Sequence, residues 1–190
     1  GSYKGQQWGL PSNMALLGNL IGAEKTTTLY IMNDSAERNI HLRTLLIKPL
    51  KSKNPDVRLA AIRWIVYSWG RVRGKRGKEE SWVSELRDYQ PTVVDSFIKA
   101  KGKDRVASWS KVLGFADSNK YAIYDARVAM SLNAILDDIG HENRFVMPPP
   151  SAGDLPTYFT TMKAHVKAKF AGKRPMYYGY TEYMDLLRDL

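Results

Sequence analysis

A chain of 190 residues, 44% hydrophobic and 25% charged, has the makeup of one folded domain or of two small lobes sharing a core. It contains no cysteine, which excludes disulfides, a thiol nucleophile, a zinc–thiolate centre and a cysteine-ligated iron–sulfur cluster. The net charge of +10 concentrates polyanions at the surface, and no apolar run approaches the roughly 20 residues that span a bilayer. Nucleic acid is the commonest such polyanion, ahead of an anionic membrane surface. The expectation is an intracellular protein with no membrane, metal or cofactor requirement. Gly1-Ser2 reads as a cloning scar, which leaves 3–190 for the fold.

Helical signals follow one another along the chain. Asn13 to Ile21 reads as a short apolar helix capped by Ser12 or Asn13. Lys25 to Met32 is β-branched, yet a lone strand there has nothing to pair with, so it is read as helix or turn. Asp34-Ser-Ala-Glu37 is a capping box leading into Ile40, Leu42, Leu45, Leu46 and Leu50. Asn54-Pro55-Asp56 opens a further helix whose apolar positions Leu59, Ile62, Ile65, Val66 and Trp69 run to a stop at Gly70. Arg71-Val-Arg-Gly-Lys-Arg-Gly-Lys78 follows as a glycine-spaced basic loop. Arg71, Arg73, Lys75, Arg76 and Lys78 suit phosphate contacts there. The segment lacks the spacing and the Ser or Thr of a P-loop.

Pro91 opens the next helix, with Val93, Val94, Phe97 and Ile98 on one face and Gly102 just past its end. Asp104 is the expected cap of a helix that buries Val106, Trp109, Val112 and Leu113. Asp125 caps another, expected to bury Val128, Leu132, Ile135, Leu136 and Ile139 before Gly140 stops it. Pro148 to Gly153 reads as a loop, and Leu155 to Ala171 as helix. Lys163, Lys167, Lys169, Lys173 and Arg174 make a second basic run, and Thr181 is expected to cap a last short helix. The three histidines have no ligand spacing to one another. The expected architecture is all-α, about eight helices in two lobes with a cleft between them. One lobe is formed by about 3–90 with 145–190, and the other by about 91–144.

The segment from Lys111 to Leu132 carries the chemistry. It reads as the end of one helix, a short loop, and a new helix opened by Asp125 in Ile123-Tyr-Asp125-Ala-Arg-Val-Ala. With the helix–Gly102-Lys-Asp104–helix pattern before it, this stretch resembles the helix-hairpin-helix DNA glycosylases, nearest to the 8-oxoguanine glycosylase branch, over roughly residues 91–140. The resemblance implies Pro91 to Lys101 as the first hairpin helix and Arg105 to Phe115 as the second. It further implies Lys111 as the Schiff-base lysine and Asp125 as the catalytic aspartate. The family's Gly-x-Gly before the lysine is replaced by Ala107-Ser-Trp-Ser110.

The chemistry asks for such a pair. Breaking the bond from deoxyribose C1′ to the base nitrogen develops positive charge on the sugar, which a carboxylate stabilises, and an unprotonated amine attacks C1′ to give a Schiff base. Lys101, Lys103 and Arg127 join the basic loop as expected DNA contacts. Trp109, Tyr121 and Tyr124 are candidates to stack on an extruded base, although aromatics at helical spacing are more often core. Tyr177, Tyr178, Tyr180 and Tyr183 carry the same two readings. The expected function is DNA base excision in repair, with or without strand cleavage at the abasic site. A non-catalytic binding module of the same fold and a helical protein–protein adaptor are the alternatives.

Overall fold

Among the described residues, the helices that follow Asp34, Asn54 and Asp125 begin where a side chain accepts from the first free N–H groups. A computed structural model describes residues 11–72, 81–88, 91–102, 104–148, 157, 160, 161, 164, 165 and 176–190, and these contain nine named α-helices. They are α1 (Pro11–Ile21), α2 (Ala23–Ile31), α3 (Ser35–Leu50), α4 (Pro55–Arg63), α5 (Ser81–Glu85), α6 (Pro91–Lys101), α7 (Val106–Ala116), α8 (Ala126–Asp138) and α9 (Tyr180–Arg188). The all-α expectation holds. Residues 157, 160, 161, 164 and 165 are helical as well.

The caps explain the starts. Asp34 accepts from the N–H groups of Ala36 and Glu37 at 2.7 and 2.9 Å, and Asn54 accepts from Asp56 at 2.9 Å. Ahead of α9, Glu182 reaches back to the N–H of Gly179 at 2.7 Å, so Gly179 and not Thr181 is the cap. The β-branched run 26–28 is helical, with each threonine hydroxyl donating to the carbonyl four residues before it. The helix after Asp104 begins two residues later, at Val106. Arg105 sits between them at φ +55°, and its carbonyl accepts from Ser108 and Trp109.

The chain divides into two compact units, Gly1–Gln90 with Lys111–Lys120, and Pro91–Ser110 with Tyr121–Leu190. This differs from the expected lobes in two ways. Residues 145–190 group with 91–110 and not with 1–90, and Lys111–Lys120 belong with the N-terminal part of the chain. The division falls inside α7.

In the first unit α1 packs against α2, α3 and α4, and α4 against α5 and the 3₁₀ turn Leu86–Asp88. Leu17, Leu29, Leu42, Leu46, Ile62, Ile65, Val66 and Val83 are all buried. α4 continues into a π-helical segment, Trp64–Trp69, in place of the uninterrupted α-helix its periodicity predicts. Its last bonds run from Gly70 N–H to the Ile65 carbonyl at 2.7 Å and from Val72 N–H to the Val66 carbonyl at 3.0 Å. The Lys111–Ala116 half of α7 is held here. Arg43 donates to the Gly114 carbonyl at 2.8 Å, and the Phe115 ring meets Trp69 edge-on at 4.8 Å. Trp69 in turn donates to Asn39 at 3.0 Å.

The second unit is built around aromatic rings. Trp109 meets Phe97 edge-on at 5.8 Å and Tyr180 at 4.8 Å, and Tyr124 lies 5.1 Å from Tyr183. Two short strands pair in parallel, β1 (Arg144–Phe145) with β2 (Tyr177–Tyr178), an element the sequence reading did not anticipate. The N–H groups of Arg144 and Val146 bond to the carbonyls of Met176 and Tyr178, so the N–H and carbonyl of Phe145 point the other way. There Asn133 closes the edge, accepting from Phe145 N–H at 2.7 Å and donating to its carbonyl at 2.9 Å.

That bond turns α8. Its buried positions are Ala126, Ala129 and Asn133, whereas Ile135 and Ile139 are 58% and 65% exposed and Val128, Leu132 and Leu136 half-buried. The expected apolar stripe is therefore not the core face. Asn133 there satisfies both backbone groups of Phe145, which an aliphatic side chain could not do.

Candidate functional site

The expected hairpin is present at element level. α6 ends at Lys101, Gly102 follows at φ +53° with its N–H on the Ile98 carbonyl, and Asp104 N–H returns to the Lys101 carbonyl. The turn is locked from α7. Trp109 is fully buried, and its indole N–H donates to the Asp104 carbonyl at 2.7 Å while its ring rests against Phe97 of α6. Ala107 to Ser110 lie within the helix, and the N–H groups of Ser108 and Trp109 are used on the Arg105 carbonyl.

Asp125 stands at the start of α8, reached through the extended segment 121–124. Its Oδ1 accepts from Arg127 N–H at 2.9 Å and from Val128 N–H at 3.2 Å, so the cap engages one carboxylate oxygen and leaves Oδ2 outside it. The segment before it is pinned on both sides. Ser110 is fully buried, and its hydroxyl accepts from Tyr124 N–H at 3.1 Å and donates to the Tyr124 carbonyl at 3.2 Å. That hydroxyl joins the residue before Lys111 to the residue before Asp125. From α9, Tyr180 donates to the Ala122 carbonyl at 2.8 Å and Met184 Sδ accepts from Ala122 N–H at 3.3 Å. The Tyr183 hydroxyl makes a longer contact, 3.4 Å, with the Ile123 carbonyl.

Burial and the charges nearby act on these phenols. Tyr124 and Tyr180 are held well above tyrosine's ordinary range, first by burial and then by Tyr183. Burial also raises Tyr183, with the negative charge of Asp125 as the second cause.

Lys111, on the half of α7 that belongs to the first unit, is half-buried. Its stem lies against Gly70 at the end of the π-helical segment. A methyl group built on Gly70 would come within 3.1 Å of Lys111 Cδ and within 2.9 Å of the Ile65 and Val66 carbonyls. Glycine is thus required where the lysine passes. Lys111 and Asp125 fall in different units.

The remaining candidates divide as follows. Arg71 is exposed and holds a left-handed backbone at φ +49°, directly after Gly70. Arg73, Lys75, Arg76, Lys78 and Lys103 lie outside the described residues, as does the whole of the second basic run. The Lys101 ammonium sits 5.7 Å from the centre of the Phe97 ring, and Arg127 is exposed in the first turn of α8. A cation there opposes the helix dipole, a placement that an anionic partner would relieve. Trp109, Tyr121 and Tyr124, offered as base-stacking residues, are all buried in the second unit, with the Tyr124 hydroxyl donating to the Val146 carbonyl at 2.5 Å. Their surroundings are core contacts, the bland alternative for aromatics at helical spacing.

A small apolar cleft in the first unit is lined by Leu50, Ile62, Leu86, Val112, Leu113 and Ala116, and contains none of the candidates. Among the described residues no cluster of histidine and carboxylate side chains could hold a metal ion, and no helix is long and apolar enough to cross a membrane. The positioning roles of Ser110 and Gly70 were not read from sequence, where Gly70 served only as a helix stop. The only trace of them is a small residue at each place where a backbone or a lysine stem passes close. No family model, curated protein or solved structure matches this chain.

Proposed function

We propose that this chain binds DNA through its basic surfaces and excises a damaged or modified base, with Asp125 stabilising the sugar cation and Lys111 as the amine that attacks C1′. The observation that carries the reading is the construction at Asp125. It is a helix-capping carboxylate with one oxygen committed to two N–H groups and the other outside the cap, at the end of an extended segment bonded to the residue that precedes Lys111. Two N–H donors fix the carboxylate at the helix start, and a carboxylate held in place is what a developing cation needs. The net charge of +10, with Arg127 in the first turn of α8, supplies the attraction for a phosphate backbone. Because Trp109, Tyr121 and Tyr124 are core residues, the extruded base is received by other groups.

The test is borohydride trapping with oligonucleotides carrying a panel of lesions. Wild type should give a covalent complex. Lys111→Gln should give none while keeping DNA affinity within about twofold, since one charge among several phosphate contacts costs little. Asp125→Asn should slow base release and keep binding, because the amide oxygen still caps the helix and only the charge is lost. Trapping by both variants at the wild-type level would remove these residues from the reaction. A second reading, a binding module without catalysis, is favoured by the burial of the three expected stacking rings. It predicts salt-sensitive DNA binding with no trapped complex on any lesion.

A further inference from the structure

The peptide groups of the extended segment 121–124 need partners, because that segment lies in no helix or sheet. One face of one helix supplies three of them. Tyr180, Tyr183 and Met184 occupy positions i, i+3 and i+4 of α9 and so project together. They meet the Ala122 carbonyl, the Ile123 carbonyl and the Ala122 N–H in turn. All three side chains are buried. α9 itself is set by Glu182, which bonds the N–H of Gly179, and by the edge-on contact of Tyr180 with Trp109 of the hairpin. The same helix thus grips the hairpin indole and the strand that ends in Asp125.

We propose that the first turn of α9 is a positioning element for the Asp125 carboxylate, acting through Tyr180 and Tyr183. The inference rests on the reading of Asp125 as the charge that meets the sugar cation. Its mechanism is mechanical. The two hydroxyls hold the carbonyls of residues 122 and 123, Ser110 holds residue 124, and the backbone is left no freedom to turn the carboxylate away from the first turn of α8. The electrostatic link between Asp125 and the Tyr183 phenol supports the closeness of the two groups.

The experiment uses the full chain, isotopically labelled, as wild type, Tyr180→Phe, Tyr183→Phe and the double variant. Each change removes a hydroxyl and keeps the ring, and Tyr183→Phe, which loses only the longer bond, serves if Tyr180→Phe does not fold. Two signals are read by NMR: solvent exchange of the Arg127 and Val128 amides, which donate into Asp125, and the carboxyl carbon resonance of Asp125. The double variant should exchange about tenfold faster at these two amides and move the carboxyl resonance. The amide of Phe145, held by Asn133 elsewhere in the same unit, should keep its wild-type rate. Unchanged exchange and an unmoved carboxyl resonance in all variants would overturn the proposal. Equal acceleration at Phe145 would overturn it too, because that is general loosening of the unit. Single-turnover base release, measured beside DNA affinity, tests the excision reading separately. If the wild type releases no base, that reading falls, and the positioning role is decided by the two NMR signals.

Discussion

Replacing Ser110 by alanine tests the joint between the hairpin helix and the strand that carries Asp125. The serine is fully buried, and its single hydroxyl serves both the N–H and the carbonyl of Tyr124, at 3.1 and 3.2 Å. Alanine deprives both groups of this partner inside the unit. Each buried polar group left unsatisfied costs about 1–3 kcal/mol, and bonds of this length belong at the low end, so the two together cost about 2–3 kcal/mol. Alanine is the better helix former by about 0.5 kcal/mol, which offsets part of this, and a net loss near 2 kcal/mol remains.

The assay is urea unfolding followed by tryptophan fluorescence, paired with amide exchange at Tyr124. Ser110→Ala should lower the midpoint with little change in slope and expose the Tyr124 amide. Ser110→Thr keeps the hydroxyl and adds a methyl group where no space is left. It should cost about 1–3 kcal/mol of packing while the Tyr124 amide stays protected. A loss below about 0.5 kcal/mol for alanine, with Tyr124 exchange unchanged, would refute the claim that this hydroxyl holds the strand.

Asn133→Ala should cost about 2–4 kcal/mol by stranding both backbone groups of Phe145, and Asn133→Asp should be worse, since a carboxylate oxygen then faces the carbonyl; equal stability of wild type and both variants in denaturant would contradict this. Tyr124, Tyr180 and Tyr183 ionise at higher pH in the folded state than in the unfolded chain, where phenols titrate near 10. Their contribution to stability is therefore complete below about pH 10 and is lost as pH rises above it, and phenolate absorbance from these three should develop together with unfolding. Three phenols that titrate normally in folded protein would argue against their burial. DNA binding should weaken with salt at a log–log slope near −5 if about six phosphates are contacted. Neutralising Arg71, Arg73, Lys75 and Arg76 should flatten that slope to about −2 if all four touch phosphate, and an unchanged slope would move the DNA surface elsewhere.

The sequence alone determined the features that depend on neighbours along the chain. The caps at Asp34, Asn54 and Asp125, the stop at Gly102 and the helix pair 91–101 and 106–116 were legible because each is a bond between residues a few positions apart. The buried face of α7 was legible because apolar periodicity and packing agree there, whereas on α3 Leu42, Leu46 and Leu50 are buried as read but Ile40 is exposed and Leu45 half-buried. Tertiary structure decided what periodicity leaves open. The side of α8 that turns inward was chosen by Asn133 bonding the free edge of Phe145, a partner twelve residues away, against the stronger apolar stripe. The grouping of 145–190 with the hairpin followed from rings meeting across long separations, with Trp109 on Tyr180 and Tyr124 beside Tyr183. The same packing made Trp109 and Tyr124 core residues, since composition marks an aromatic ring and only its neighbours decide whether its faces are covered. The seats of the two candidate groups, Gly70 beneath the Lys111 stem and Ser110 on the strand before Asp125, likewise depend on close approach between distant segments, which no local pattern encodes.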